Sequence, residues 1–454
     1  MKIYSIRIKG FQQFNDTFIN LTNPETGQPA NKICIIGENG TGKSTLLNIL
    51  AGILGNLASY ERNVPVNRFY VFKFDYNNNK YYYYLCSTEA TIFNENVDHG
   101  YPDWFNILTS SDTYHYAVAQ HDIHEKYSVT DVGFLTGIRL KDNSTDVLIH
   151  SPAESITNPG LTISDVPYAS LGDALAFLNS FPFIHVITND TVAVFWKILI
   201  FLIKNRENER EQFENIPENL DKTKNQLIAE FEKINPKILN KIADLWNSIL
   251  DKAGLEFDVE KADNPIQLNE NLKAYIVLKR TRERINYNNL STGIRNFIFR
   301  LGHIFALYFN REIKRGFVLI DEPENSLFPD FLFDLVSIYE KVLIDKNGEN
   351  NTQLFMATHN PIIAAQFEPH ERVILDWDDN GYVQAFKGVA PVGDDPNDIL
   401  LKDFKLAHVM GKKGQEFWVE YLELKKKLRK TTDENEKEAL VKEISEIGTK
   451  YNFK

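Results

Sequence analysis

The stretch Gly37-Glu38-Asn39-Gly40-Thr41-Gly42-Lys43-Ser44-Thr45 matches the pattern GxxxxGK[ST] at every fixed position. The apolar run at 33–36 is typical of a buried parallel strand, and apolar residues at helical spacing follow to Ala51. Glycines let such a loop curl until its backbone N–H groups face phosphate oxygens, and the helix N-terminus adds a positive dipole end. The stretch therefore predicts an ATP site formed by residues 37–45, with Lys43 on the β- and γ-phosphates and the Ser44 hydroxyl on Mg²⁺.

A second apolar run, at 316–320, ends in the carboxylates Asp321 and Glu322. A strand that ends beside a phosphate loop is where Mg²⁺ needs an acidic oxygen, so Asp321 is the predicted metal ligand, acting through water. Glu322 is then placed to take a proton from the attacking water. The alternative is that both acids merely form a turn or cap a helix after a strand.

A third apolar strand pattern, Thr352–Ala357, is followed by Thr358-His359-Asn360-Pro361. A histidine at the end of a strand beside the acids can contact the γ-phosphate and orient the water. A histidine after a single strand would carry no such meaning. Here three strand-end motifs follow one another along the chain, and we therefore predict that His359 belongs to the catalytic site.

The segment Leu290-Ser291-Thr292-Gly293-Ile294 precedes a long apolar stretch that reaches Phe309. With this segment, the order of motifs resembles that of the ABC ATPase superfamily. The resemblance implies that Ser291 and Gly293 cover the γ-phosphate held by a second copy, so that the chain forms a homodimer or a higher even-numbered homo-oligomer. Thr292 and Ile294 depart from the usual LSGGQ, and a plain helix start is the alternative. Members of the superfamily commonly carry a glutamine between the phosphate loop and the signature. No residue here is an obvious match, and Gln120 is one candidate.

Within that superfamily, the chain is similar to the recombination- and SMC-like ATPases, which include the overcoming-lysogenisation-defect and antiphage-defence ATPases. The similarity covers roughly residues 1–55 and 285–400, and the phrase Asp321-Glu322-Pro323-Glu324-Asn325 is part of it. The Leu-Ser-Thr-Gly signature and the segment 394–401 look most like the ATPase subunits of Septu and retron-associated systems. This resemblance implies an ATPase that controls a separate effector, such as a nuclease, in antiviral defence. The alternative is an ATPase that acts directly on DNA in recombination or repair.

The bulk properties are those of a globular cytoplasmic protein. The 454 residues are 43% hydrophobic and 25% charged, with a formal net charge of −12 and two cysteines. The longest apolar run, Val192–Ile203, contains Lys197 and falls short of the roughly twenty residues that span a bilayer. We expect no membrane partner. A third possibility, a translation-linked or transport-linked ABC module, would require association with a ribosome or a membrane.

The expected fold is α/β: an ABC-type P-loop head with a mixed sheet flanked by helices, an antiparallel β subdomain, a short helical insertion and a helical tail. The predicted boundaries are 1–95 and 271–400 for the two parts of the head, 96–270 for the insertion and 401–454 for the tail. Phe69–Phe74 and Lys80–Cys86 predict a hairpin. The insertion is predicted to be largely helical from 190 to 255, with a break at Pro236. The tail predicts two helices around 431–433, which either dock a partner or cap the domain.

Three further sets of residues allow more than one interpretation. Basic residues before and after the signature could face a DNA backbone or form a solvated surface; they are Lys273, Lys279, Arg280, Arg282, Arg284, Arg311, Lys314 and Arg315. The acids at 376–379 resemble a Toprim metal pair, but Asn380-Gly381 favours a hairpin turn. Three histidines, at 115, 121 and 124, lack the acids or cysteines of a metal site and are interpreted as loop residues. No built-in nuclease domain is expected.

Overall fold

The computed structural model describes residues 2–58, 69–76, 79–86, 89–94, 146–153, 184–187, 209–234, 238–258, 276–283, 285, 289–311, 313, 315–344, 348–451 and 453. The chain divides into two compact units, Met1–Asp394 and Asp395–Lys454. The second unit thus begins slightly before residue 401, where the sequence predicts the start of the tail. No helix among the described residues is long and apolar enough to cross a membrane.

The first unit is built on a seven-stranded sheet in the order β14-β13-β3-β12-β11-β7-β8. Its strands are β3 (Lys32–Gly37), β7 (Asp146–Ser151), β8 (Ile184–Val186), β11 (Arg315–Asp321), β12 (Thr352–Ala357), β13 (Arg372–Trp377) and β14 (Val383–Lys387). All neighbours pair in parallel except β13 and β14, which form an antiparallel hairpin. The central strands are buried on both faces, which explains their nearly unbroken apolar sequences.

The sheet differs from the sequence-based division in one respect. Strands β7 and β8 come from the segment assigned to the insertion, 96–270, yet β7 pairs with β11 along its whole length. The sequence gives little sign of this because β7 is only 6 residues long and β8 only 3. A short apolar run shows no periodicity that distinguishes a sheet strand from part of a helix.

A second sheet is antiparallel, in the order β2-β1-β4-β5-β6. Its strands are β1 (Lys2–Phe11), β2 (Phe14–Asn20), β4 (Phe69–Tyr76), β5 (Asn79–Cys86) and β6 (Glu89–Asn94). The predicted first strand and the predicted hairpin are both confirmed. Buried Gln353 of β12 links the two sheets, because its side chain accepts from Ile3 N at 2.8 Å and donates to Ile3 O and Ala30 O.

The helices of the first unit are α1 (Lys43–Ala58), α2 (Lys224–Ile234), α3 (Ile238–Leu250), α4 (Thr292–Arg311), α5 (Pro329–Leu332), α6 (Leu335–Val342) and α7 (Pro361–Ala364). Helix α1 shares one core with both sheets, through Leu46, Leu47, Leu50 and Leu54. The two helices predicted on either side of Pro236 are confirmed as α2 and α3, whereas Pro236 itself lies outside the described residues. A small antiparallel pair, β9 (Leu255–Phe257) and β10 (Ile276–Leu278), follows.

Buried Trp246 joins α3 to α4, since its Nε1 donates to Ile298 O at 3.1 Å. Its indole also meets Phe257 of β9 edge to face, with ring centroids 4.9 Å apart. Helix α4 carries the signature at its N-terminus. The contact with α3 through Trp246 therefore helps to hold the signature helix, α4, in place within the unit.

The second unit contains α8 (Pro396–Lys402), α9 (Lys412–Lys430) and α10 (Glu434–Tyr451). The two predicted tail helices are confirmed, with Asp433 capping the second through Asn435 N at 2.8 Å. Aromatic side chains hold α9 against α10 and the residues after it: Phe417 stacks on Tyr451 of α10 at 4.2 Å, and Trp418 contacts Phe453, beyond the end of α10, at 5.0 Å. The apolar spacing of the tail thus serves the contact between its own two helices.

Candidate active site

The phosphate loop joins the end of β3 to the start of α1. Glu38, Asn39 and Gly40 are exposed at its crest, whereas Thr41 is fully buried and its hydroxyl donates to Glu38 O at 2.9 Å. Gly42 has a φ of +93°, and a Cβ there would lie 2.1 Å from Gln13 Nε2. The positive φ favours glycine, and the buried ring of Phe14, whose Cζ would lie 2.8 Å from the added Cβ, leaves little room for a side chain. The loop is thus shaped by contacts within the chain itself.

Lys43 is 6% exposed, and its ammonium donates to Gly37 O and Glu38 O, both at 2.9 Å. Burial lowers the pKa of Lys43 to about 8, and the charges of Asp321, Glu322 and Glu324 partly oppose that shift. The ammonium therefore stays mainly protonated at pH 7, close to three carboxylates. A phosphate group that entered the loop would find the positive charge already in place.

Strand β11 delivers Asp321 and Glu322 at its carboxyl end, two strands away from the phosphate loop. Asp321 is 4% exposed, and its carboxylate is near enough to Lys43 for its charge to act on that ammonium. A buried carboxylate is costly unless cations neutralise its charge. The Asp321 carboxylate and the exposed Ser44 hydroxyl in the first turn of α1 both offer oxygen atoms as ligands. They fit Mg²⁺, a hard cation that takes oxygen ligands.

Glu322 has an unusual backbone, with a φ of +46°. This left-handed conformation costs a non-glycine residue roughly 1–2 kcal/mol, so neighbouring contacts must hold it. Glu322 N donates to Ala357 O at 2.9 Å, and Glu322 O accepts from Asn325 N and from Arg300 Nη1, both at 3.1 Å. These contacts fix the direction in which the half-buried side chain leaves the strand end.

Arg300 is a site residue that the sequence does not reveal. It lies on α4, is 3% exposed, and donates to Glu322 O through Nη1 and to Pro152 O through Nη2 at 2.9 Å. Burial lowers the pKa of Arg300, and Asp321, Glu324 and Glu322 act against the shift. An arginine pKa starts so high that the group stays charged. The signature helix is thereby bonded to the backbone of the predicted general base.

His359 follows β12, the strand that lies between β3 and β11. Its side chain is near enough to Lys43, Glu322 and Asp321 for their charges to act on it. Burial, reinforced by Lys43, lowers the pKa of His359 below the ordinary value. The imidazole is therefore neutral at pH 7 and can donate through one nitrogen and accept through the other. Lys43, Asp321, Glu322 and His359 are thus brought together at one edge of the sheet.

The signature residues have two different environments. Ser291 is exposed at the start of α4, where its Oγ accepts from Ile294 N at 3.4 Å. Gly293 is buried, and a Cβ there would lie 2.0 Å from Ser326 O in the loop after the acids. Gly293 therefore permits close packing within the chain. The contact of Ser291 and Gly293 with the phosphates of a second copy stays a prediction.

Two of the basic residues near the signature, and the acids at 376–379, have partners within the chain. Lys279 pairs with Asp251 at 2.6 Å, and Arg282 pairs with Glu256 at 2.5 Å. Asp378 accepts from Asn380 N and Tyr382 N in the turn between β13 and β14, which confirms the hairpin interpretation. Several candidates lie outside the described residues: Gln120, Lys273, Arg284, Lys314 and the histidines at 115, 121 and 124.

The carboxyl ends of β3, β12 and β11 thus carry the loop, the neutral histidine and the two acids in adjacent positions. Ligands of open α/β sheets bind at this edge. No curated protein matches the chain in sequence. Residues 1–364 match a family described as AAA ATPase domain, AAA_15, which is most of the 454 residues. The chain therefore belongs to this family of AAA ATPase domains and is a P-loop ATPase.

Proposed function

We propose that this P-loop ATPase is an ABC-type switch, in which two copies close around ATP–Mg²⁺ and separate after hydrolysis. The observation that carries the proposal is the meeting of Lys43, His359, Asp321 and Glu322 at adjacent strand ends. Lys43, His359 and Asp321 could serve only to bind the nucleotide and its metal ion. Glu322, held beside them in a fixed backbone conformation, adds a carboxylate able to accept a proton, which supports hydrolysis.

In this proposal, Lys43 and the backbone donors of residues 37–45 hold the β- and γ-phosphates. Mg²⁺, held by Ser44 and Asp321, would neutralise charge on the phosphate oxygens. The Glu322 carboxylate takes the proton of the attacking water as the water oxygen bonds to the γ-phosphorus. The bond from that phosphorus to the bridging oxygen breaks, and ADP leaves with that oxygen. Neutral His359 donates to a γ-phosphate oxygen or to that water. Arg300 keeps the Glu322 backbone in place while the carboxylate changes its protonation state.

A second copy is needed because the chain carries one phosphate loop and one signature. Ser291 and Thr292 are exposed at the N-terminus of a 20-residue helix, where backbone donors and the helix dipole favour an anion. If that anion is the γ-phosphate on the other copy, ATP joins the two and hydrolysis releases them. The state of the nucleotide then sets the state of the dimer.

The test uses Glu322→Gln, which keeps the shape of the side chain and removes its basicity. We expect this variant to bind ATP, to lose hydrolysis and to accumulate as an ATP-dependent dimer in light scattering after size-exclusion chromatography. Undiminished hydrolysis by Glu322→Gln would contradict the role of Glu322. A monomer at saturating ATP would contradict the composite site.

A second substitution at the signature controls for the cause of dimer formation. Combining Glu322→Gln with Ser291→Arg should restore the monomer while ATP binding persists. Residue 291 is exposed, so a longer side chain fits the folded monomer and would obstruct only a second copy that approaches the signature. A dimer that survives Ser291→Arg would mean that the two copies meet through another surface.

We further propose that this switch is the regulatory subunit of a bacterial antiviral defence system and controls a separate nuclease or other toxic effector. The support is the resemblance of the motifs to antiphage-defence ATPases. The helical second unit adds a surface for a partner, since Val419, Leu422 and Val441 are each about half exposed on α9 and α10. Direct action on DNA is the alternative, and the ion pairs of Lys279 and Arg282 weaken its electrostatic basis.

The two uses are separated by isolating tagged Glu322→Gln from its native host in ATP–Mg²⁺ and identifying the co-purifying proteins by mass spectrometry. A nuclease or toxic protein in fixed ratio supports the defence role. A matched preparation that ends at residue 394 should lose that partner if the second unit docks it. Recovery with repair factors only, together with strong stimulation of hydrolysis by DNA, would favour the repair role instead.

A further inference from the structure

The residues that follow β11, 322–327, form a loop that we call the acidic loop, and it carries a third carboxylate, Glu324. The Glu324 side chain contacts the segment after β12 that contains His359. Its Oε1 accepts from Thr358 Oγ1 at 2.6 Å and from His359 N at 3.0 Å. Thr358 is fully buried and directly follows β12, and its hydroxyl also accepts from Asn360 N at 2.9 Å. One carboxylate oxygen therefore holds the backbone on which the catalytic histidine stands.

The second oxygen, Oε2, is shielded from solvent, and no described residue gives it a hydrogen bond. Burial raises the pKa of Glu324, and the charge of Glu322 adds to the shift, whereas hydrogen bonds from Thr358, from its own backbone and from His359 N act against it. A shielded carboxylate with one oxygen that accepts no hydrogen bond costs free energy. Buried polar groups left incompletely satisfied call for an explanation in function.

The placement supplies that explanation. Glu324 is two residues beyond Glu322, and Glu322 N is itself bonded to Ala357 O, one residue before Thr358. The acidic loop and the end of β12 are thus joined at two points, through Glu322 N and through the Glu324 carboxylate. Movement of one side without the other would change the distance between the general base and His359.

We propose that Glu324 is a positioning residue for hydrolysis, which fixes His359 relative to Glu322 by accepting the hydrogen bonds of Thr358 and the His359 backbone. The inference rests on the proposed roles of Glu322 and His359. Glu324 acts through other residues and need not touch the nucleotide. Its loss should accordingly impair the chemical step and leave ATP binding intact.

The experiment compares Glu324→Gln with Glu324→Ala in steady-state ATP hydrolysis. Glutamine keeps an acceptor oxygen at the same reach, so we expect its kcat to stay within about threefold of the unchanged protein. Alanine removes the acceptor, and misplacement of a catalytic group costs about 10- to 100-fold in kcat. KM for ATP should be the same in both variants, because the phosphate loop is untouched. A purely structural role would lower the amount of folded protein and would not produce this split.

Thr358 offers a second, milder pair of variants. Thr358→Ser keeps the hydroxyl and should behave as the unchanged protein, whereas Thr358→Val removes one of the two donors and should lower kcat. If both residues act through the same contact, Thr358→Val combined with Glu324→Ala should lose no more than Glu324→Ala alone. Thermal unfolding of every variant verifies that the folded state is compared.

The outcomes distinguish this inference from the proposed function. Equal loss in Glu324→Gln and Glu324→Ala, or full kcat in Glu324→Ala beside an inactive Glu322→Gln, would overturn the positioning role and leave the proposed function standing. Unimpaired hydrolysis by Glu322→Gln would overturn the proposed function and this inference with it. Loss of kcat at constant KM in Glu324→Ala, with rescue by glutamine, supports the role.

Discussion

Replacing Arg300 with alanine should destabilise the protein and slow hydrolysis at the same time. The guanidinium is 3% exposed and donates to Glu322 O at 3.1 Å and to Pro152 O at 2.9 Å. Hydrogen bonds from a charged group contribute about 1.5–3 kcal/mol each. Removing both also leaves two carbonyls without these donors and creates a cavity, so the expected loss is about 3–5 kcal/mol in the free energy of unfolding.

The effect on activity follows from the backbone of Glu322. Its left-handed conformation is opposed by roughly 1–2 kcal/mol of strain, and Arg300 is one of the three contacts that hold it. Without that contact, the carboxylate samples other directions, and we expect kcat to fall about tenfold or more while KM for ATP changes little. Arg300→Lys should be intermediate, because a single ammonium cannot keep the fork geometry that serves both carbonyls.

Urea denaturation and steady-state hydrolysis measure the two effects. Arg295→Ala is the matched control for stability, because Arg295 lies on the same helix and its Nη2 donates to Thr292 Oγ1 within that helix, at 3.3 Å. A change within about 0.5–1 kcal/mol is expected there. If Arg300→Ala were as stable as Arg295→Ala and hydrolysed ATP normally, the bond between signature helix and general base would have no role.

Three further predictions concern Lys43, Gly293 and His303. Lys43→Ala should abolish ATP binding in calorimetry, because the buried ammonium supplies the charge inside the loop; retained tight binding would refute this. Gly293→Ala should cost about 1–3 kcal/mol of stability in denaturant titration, since the added Cβ would lie 2.0 Å from a backbone oxygen, whereas Gly348→Ala has open space and only its positive φ to overcome. Burial lowers the pKa of His303 to about 4, so the folded protein resists protonation of this group more than the unfolded chain does. The free energy of unfolding is therefore retained above the unfolded pKa near 6.5 and falls by up to about 3 kcal/mol as the pH drops to 4. His303→Leu should lose less free energy of unfolding between these pH values.

Much of the site could be predicted from local sequence. The pattern at 37–45 fixes the loop, because glycine positions and the strand–helix context are properties of neighbouring residues. Asp321, Glu322 and His359 could be named because each follows an apolar strand, and parallel strands end at one edge of the sheet. The hairpin at 69–86, the break at Pro236 and the two tail helices are predictable for the same reason. All of them depend on residues close together in the chain.

The tertiary structure decided what depends on distant residues. Arg300 and Pro152 are 148 positions apart, and nothing in either segment indicates that they meet. The strand order, with β12 between β3 and β11, and the entry of β7 into the main sheet follow from packing and loop connections that a linear pattern does not encode. Local sequence therefore determined which groups are predicted to perform the chemistry. The folded chain determined how Arg300, Glu324 and Gly293 hold them, because hydrogen bonds and close contacts depend on separation in space.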